Sequence, residues 1–399
     1  MNKNKKIAII GGGILGLAIG YQLIKNQKAF KIHLFEKESG FGKHQSGNNS
    51  GVLHCGLHYL PGSLKAKLAV DGIREMIHFC KTNHIEHEIC GKIVVASNDI
   101  EAKYLDNLAG RGEKNGLLGL KYLNNEELKV REPNVFATKA LLVPEEGIVD
   151  YNQVMNQMSK EIYDAGGIIS YNTEVTNIVV NGNQSTINTL DNSYEFDYII
   201  NCTGLQSDRT YKNFSKLNSP LKIIPFRGEY MNIKEDYKDL INHLVYPVPD
   251  PNYPFLGVHF TRMTNGKREV GPNAVLALKR EGYTNKDFDV KDIADIIFYK
   301  GFHKFILKNF SFTVGEFMSS LSKKDFVNKA KKLIPSVEDY MLEKGTAGVR
   351  AQAMDKEGEL IMDFRIEKIG NQIHIINAPS PGATASLSIA SHIIDNYIV

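Results

Sequence analysis

Lys6-Ile7-Ala8-Ile9-Ile10 runs directly into Gly11-Gly12-Gly13-Ile14-Leu15-Gly16. The first five residues read as a short apolar strand, and Leu17 to Ile24 continues as a helix-like stretch. A second strand, Lys31 to Phe35, ends on Glu36. Each part answers a physical need of dinucleotide binding. Gly11 permits a tight turn, Gly13 lets backbone approach a pyrophosphate, and Gly16 lets the helix pack closely on the strand. The helix N-terminus turns N–H groups and a positive dipole end toward the phosphates. Glu36 stands twenty residues past Gly16, where an acid accepts hydrogen bonds from ribose hydroxyls. The competing reading is a glycine-rich turn in another α/β protein. The strand before, the helix after and the spaced acid argue against it. The acid also disfavours a phosphorylated ribose, whose charge it would repel.

The rest of the chain bounds the answer. Its 399 residues allow two domains and a substantial core. With 42% hydrophobic and 23% charged residues, it has an ordinary globular composition. A net charge of +3 gives no reason to expect nucleic acid as a partner. Cys55, Cys80, Cys90 and Cys202 lack metal-site spacing and read as reduced, intracellular thiols, and no metal site is expected. The first strand begins within six residues of the N-terminus, leaving no room for a cleaved signal. No apolar run approaches the roughly 20 residues of a membrane span. A cytoplasmic location is the expectation.

Further helices are expected at Leu64–Asn83, Ile100–Asn115, Glu126–Val130 and Tyr151–Ala165. Strands are expected at Lys92–Ala96, Ala140–Val143, Ile168–Tyr171, Val175–Val180, Tyr198–Asn201, Leu360–Phe364 and His374–Asn377. Residues 221–290 alternate strand-like runs with prolines, and residues 292–334 read as helical. The resulting fold class is α/β, a Rossmann-like domain with an interleaved α+β substrate domain on a mixed sheet. The first is expected from residues 1–90, 146–215 and 345–399, the second from 91–145 and 216–344. FAD is favoured over NAD. Cys202-Thr203-Gly204 ends one strand, and Pro381-Gly382-Ala383-Thr384 opens a C-terminal helix. Distant strand ends converging on one crevice suit a long cofactor, and helix-terminal amides suit the negative charge that gathers on a reduced flavin.

Four blocks carry a resemblance. They are Ser46–Gly56 continuing through Tyr59–Lys67, then Phe255–Thr261, then Val270–Ala277 ending Lys279–Tyr283, and lastly Ala347–Gln352 with Asn377–Thr384. On these blocks the chain, from residue 1 to about 395, resembles the D-amino-acid-oxidase-like FAD oxidoreductases. It departs from them at Cys55 and Gly382, where alanine is usual. The resemblance implies the fold type named above and oxidation of a 2-hydroxy acid, specifically L-2-hydroxyglutarate to 2-oxoglutarate. It extends the cofactor contacts beyond Gly11, Gly13, Gly16 and Glu36. The added residues are Ile14, Leu15, Lys37, Ser46, Asn49, Ser50, Gly51, Leu53, Val175, Cys202, Thr203, Gly204, Arg350, Pro381, Gly382, Ala383 and Thr384.

Such an oxidation moves a hydride from C2 to flavin N5 and removes the hydroxyl proton. An alcohol is a poor acid, so a base must take that proton. His54, just after the Ser50-Gly51 turn, is the first candidate; a loop histidine bonded to backbone is the alternative. His259 alternates against Val258 and Phe260 and is the second candidate, as base or carboxylate ligand. A dicarboxylate also needs donors at its ends, best met by arginine's planar fork. Arg350 is the leading one. Arg227 and Asn273 are weighed evenly between substrate contact and pairing or turn formation, and Tyr246 and Tyr253 are weaker. The aromatic and basic stretch Ile296–Phe317 has the composition of a helix lying on a bilayer, against a substrate-domain helix packed on its own core. Membrane contact would suit delivery of electrons to a quinone; oxygen is the other acceptor. Two rival functions are an amine oxidase of the same fold and a non-catalytic flavin-binding subunit.

Overall fold

A computed structural model describes residues 5–25, 30–250, 256–309 and 322–398. Lys6–Ile10 lies inside a six-stranded sheet. Its strand order is Arg365–Ile369, Gln372–Asn377, Tyr198–Asn201, Lys6–Ile10, Lys31–Phe35, Ile168–Ser170. All neighbours pair in parallel except the first two. Both faces of this sheet are covered, which is why the strand reads as a continuous apolar run. Ile7 and Ile9 face a core with the helices Ile14–Lys25, Leu64–Thr82, Tyr151–Asp164 and Ser386–Tyr397. Ala8 and Ile10 face a small antiparallel sheet, Asn177–Asn181, Gln184–Asn188 and Ser193–Phe196. Ile7 and Ile9 are wholly buried, each stabilising the fold by roughly 1.5–3 kcal/mol.

A nine-stranded mixed sheet forms the second layer system. Its order is Val275–Leu276, Lys222–Ile233, Arg268–Gly271, His259–Arg262, Leu244–Pro247, Lys92–Ala96, Lys139–Val143, Lys121–Leu123. Leu342–Met354 adds to it by pairing along the length of Lys222–Ile233. The boundary expected at residue 345 therefore falls inside a strand. A third small sheet joins Val52–Leu53 and His87–Glu88 to Gly147–Val149.

One expected strand differs. Residues 361–364 are loop, with only Leu360 bridging to Met354, and the strand begins at Arg365. Side chains satisfy that backbone instead. Asn377 Nδ2 donates to the carbonyls of Ile361 and Asp363, and Asp363 accepts from Lys65 N and Phe364 N. The stretch from 292 to 334 is helical in most of its described residues. It contains Val290–Ile297, Lys300–Lys308 and Lys323–Lys331, and residues 310–321 lie outside the described residues.

Candidate active site

The glycine motif opens onto a cavity of about 1550 Å³ between the two large sheets. That exceeds the usual 300–1,000 Å³ of a small-ligand pocket, so it has room for a long cofactor and a second molecule. Gly11 has φ +106°, and a Cβ there would sit 2.6 Å from the Cys202 carbonyl oxygen. A Cβ on Gly16 would meet Gly11 O at 2.1 Å, so this glycine serves strand–helix packing and does not line the cavity. A Cβ on Gly13 would meet only Ser46 Oγ within 4 Å, at 3.0 Å. Its other side is open cavity, a cradle that a side chain would fill. Ser46 Oγ accepts from Ile14 N at 2.9 Å, and Glu36 accepts from Gly12 N at 2.6 Å and Glu38 N at 2.8 Å.

Most of the expected cofactor residues line this one cavity: Gly11, Gly13, Ile14, Leu15, Glu36, Lys37, Ser46, Asn49, Ser50, Val175, Cys202, Thr203, Gly204, Arg350, Pro381, Gly382, Ala383 and Thr384. Gly51 and Leu53 do not; Leu53 is fully buried in the core. Lys37 Nζ is engaged by Glu281, at 2.7 Å to each carboxylate oxygen. The C-terminal turn does not lead straight into its helix, which begins at Ser386. The buried Thr384 hydroxyl instead ties that turn to the histidine loop. It accepts from His54 N at 3.2 Å and lies 2.7 Å from Tyr151 Oη.

The same cavity gathers His54, His58, Tyr59, Tyr230, Tyr246, His259 and Arg350. Val245 pairs with Phe260, which brings Tyr246 beside His259, and their rings stack at 4.0 Å. His54 stands edge-on to Tyr246 at 6.3 Å between centroids. His54 Nδ1 lies 3.4 Å from Glu146 Oε2, a charge contact rather than an aligned hydrogen bond. Arg350 contacts the Tyr230 hydroxyl. The buried Tyr246 Oη, which neighbours the Thr261 hydroxyl, has no well-aligned protein partner, and neither has either ring nitrogen of His58. Buried polar groups are ordinarily bonded, so such a cluster marks a place for a polar ligand.

His259 needs a correction. Its Nδ1 lies 2.8 Å from the Gly257 carbonyl, which can only accept, so Nδ1 carries the proton and Nε2 is bare. Burial lowers its pKa to about 3. A neutral ring in this tautomer has no free N–H for a carboxylate, and that role is withdrawn. Two further substrate candidates turn away from the cavity. The Arg227 guanidinium bonds Glu229, the Thr284 carbonyl and Asn285. Asn273 accepts from Glu229 N at 2.8 Å and donates to Glu229 Oε2 at 2.9 Å, holding its turn. Tyr253 lies outside the described residues. Glu146, Lys92 and Tyr230 were not singled out from the sequence as members of this site. The one available signal was Lys92 itself, a charge opening an otherwise apolar strand.

A model of FAD-dependent oxidoreductases (DAO) matches residues 6–396. This chain belongs to that family. FAD is its cofactor, and the open cradle at Gly13 and the long cavity fit it. Among relatives, L-2-hydroxyglutarate dehydrogenase of Indibacter alkaliphilus is 44% identical over 390 residues, covering 98% of each chain. L-2-hydroxyglutarate dehydrogenase of Escherichia coli strain K12 is 42% identical, covering 97% of this chain and 91% of that one. The dithionite-reduced, FAD-bound L-alpha-glycerophosphate oxidase of Mycoplasma pneumoniae shares the fold, with TM-score 0.78 and 23% identity over 98% of this chain and 94% of that one. The mixed sheets of this oxidoreductase are thus those of the family's fold.

The cradle gives a direct test. Gly13→Val should yield a folded protein with little bound FAD, because the new side chain projects into the cavity rather than into backbone. Cofactor content and far-ultraviolet circular dichroism of the purified variant check this. A folded variant with a full complement of FAD would remove Gly13 from the cofactor path.

Proposed function

We propose that this oxidoreductase converts L-2-hydroxyglutarate to 2-oxoglutarate. The observation that carries the reading is the similarity to L-2-hydroxyglutarate dehydrogenases along 98% of both chains. The cavity's chemistry supports it: a guanidinium at Arg350, an imidazole at His54 and a buried hydroxyl at Tyr246 without an aligned partner. FAD, when bound, supplies the two-electron acceptor for the hydride from C2. Arg350 holds a substrate carboxylate through its planar fork. His54 takes the hydroxyl proton as C2 becomes a carbonyl carbon, and Tyr246 offers a hydroxyl to orient the substrate. His259, kept neutral by burial, presents Nε2 as an acceptor. The segments ending at Gly11, Gly204 and Thr384 hold the cofactor.

Anaerobic addition of L-2-hydroxyglutarate should bleach the flavin absorption without any partner protein. Glutamate, sarcosine and glycine should not. Bleaching by an amino acid alone would replace this reading by amine oxidation. No bleaching with any of them would favour a non-catalytic flavin subunit.

Electrons then pass to oxygen or to a quinone. For the quinone route we propose contact between an anionic bilayer and the helix pair Val290–Ile297 and Lys300–Lys308. Phe302 and Phe305 are buried against Ile224, Phe226 and Met354, so only part of the aromatic stretch remains outside. Ile297, Phe298 and Leu307 are 52%, 84% and 80% exposed. Lys304 and Lys308 are already paired with Glu357 and Glu359, which makes any attraction weak and salt-sensitive. No helix among the described residues is long and apolar enough to cross a membrane. Flotation with anionic liposomes at low salt should carry a fraction of the protein upward. Complete retention in the soluble fraction would end the membrane reading.

A further inference from the structure

Lys92 and Glu146 are a buried ion pair with no evident stabilising purpose. Each side chain is 1% exposed, and Nζ lies 2.7 Å from Oε1. Desolvating two such charges commonly costs as much as their attraction returns, so stability alone is a poor reason to bury them. The two carboxylate oxygens are used unequally. Oε1 receives Lys92 Nζ, Cys55 N at 3.3 Å and Cys55 Sγ at 3.2 Å. Oε2 has no aligned partner and lies 3.4 Å from His54 Nδ1. The small sheet explains the approach. Val52 pairs with Ile148 and Leu53 with Gly147, so the next residues outward, His54 and Glu146, face one another.

We propose that Glu146, aimed by Lys92, is a positioning residue that orients His54 and stabilises its imidazolium as the substrate hydroxyl is deprotonated. The inference rests on His54 being the proton acceptor in the reading above. In this arrangement the protonated ring nitrogen is Nδ1, which lies 3.4 Å from Oε2, and Nε2 is left as the acceptor. The hydroxyl proton moves to Nε2, the Nδ1 proton stays in place, and Glu146 remains ionised throughout. Burial alone would raise the Glu146 pKa, but the Lys92 ammonium first, and contact with the His54 ring after it, hold it well below the usual carboxylate range. The other groups around His54 cannot do this. His58, on the same loop, is pushed by burial to a pKa of about 3 and is neutral. The Cys55 thiol and the Tyr59 and Tyr246 hydroxyls are pushed up by burial and are also neutral. His259 is neutral, and Lys92 and Arg350 are cations. Glu146 supplies the negative charge.

The test is anaerobic stopped-flow reduction of the FAD-loaded enzyme by L-2-hydroxyglutarate across pH. For Glu146→Gln we expect the low-pH limb to move downward by roughly 1–3 pH units, because an imidazolium without its counter-charge forms less readily. The plateau should fall roughly 10–100-fold, part of the 10²–10⁴ that a positioned base contributes. In a His54→Asn background, Glu146→Gln should add little further loss. If the single variant does not fold, Lys92→Met with Glu146→Gln removes both charges and carries the same expectations. An unmoved pH limb, or a full additional loss on top of His54→Asn, would make the pair purely structural. Failure of the wild-type flavin to be reduced at any pH would instead overturn the substrate reading beneath it.

Discussion

His54→Asn should slow flavin reduction by roughly 10²–10⁴-fold, the span a positioned acid–base group usually contributes. Asparagine fills similar space and can still meet Glu146, but it cannot take up a proton at neutral pH. The backbone bond from residue 54 to Thr384 Oγ1 does not depend on the side chain, so the loop should keep its place. The glycines of the Gly11–Gly16 motif belong to another segment and are left unaltered, so FAD should stay bound. Wild-type reduction should slow as pH falls, because a protonated imidazole cannot accept a second proton; the variant should lose that limb. His259→Asn is the comparison. A ring already held at a pKa of about 3 by burial is a weak base, so its loss should affect substrate orientation more than the pH profile. Stopped-flow reduction of both variants decides between them. If His54→Asn reduces at the wild-type rate, the proton goes elsewhere.

Arg350→Lys should cost roughly 1.5–3 kcal/mol of transition-state binding, as for a hydrogen bond to a charged group. That is roughly tenfold to 150-fold in kcat/KM for L-2-hydroxyglutarate. Lysine keeps the charge and loses the planar fork, so the change isolates geometry. The backbone has little reason to move. Residue 350 pairs with Phe226 in the long ladder between Leu342–Met354 and Lys222–Ile233. Bound FAD should be measured alongside, since Arg350 lines the same cavity as the cofactor glycines. Unchanged kinetics would take Arg350 out of the substrate site.

The cofactor half of the site was legible in the sequence because its determinants are local. A strand buried on both faces must be apolar throughout. A turn at φ +106° requires glycine, and a helix that passes over Gly11 O at 2.1 Å from a would-be Cβ requires glycine again at position 16. These constraints act within a few residues of one another and so leave a spaced motif. The two strands flanking that helix follow from their own apolar runs and length. The substrate half has no such signature. Lys92 and Glu146 lie 54 residues apart, and Cys55 and Glu146 91 apart, yet one ion pair and one sheet register join them. A glutamate in Pro144-Glu145-Glu146 looks like a solvated turn until the register seals it. Arg227 and Asn273 had the right chemistry for a substrate, but Glu229 took both. The aromatic stretch after Ile296 fitted either a bilayer-facing helix or a packed one, and Phe302 and Phe305 are buried with Ile224 and Phe226. Which of several suitable side chains faces the cavity is a matter of long-range strand pairing. That pairing is driven by burial summed over whole sheets, and no short run of residues encodes it.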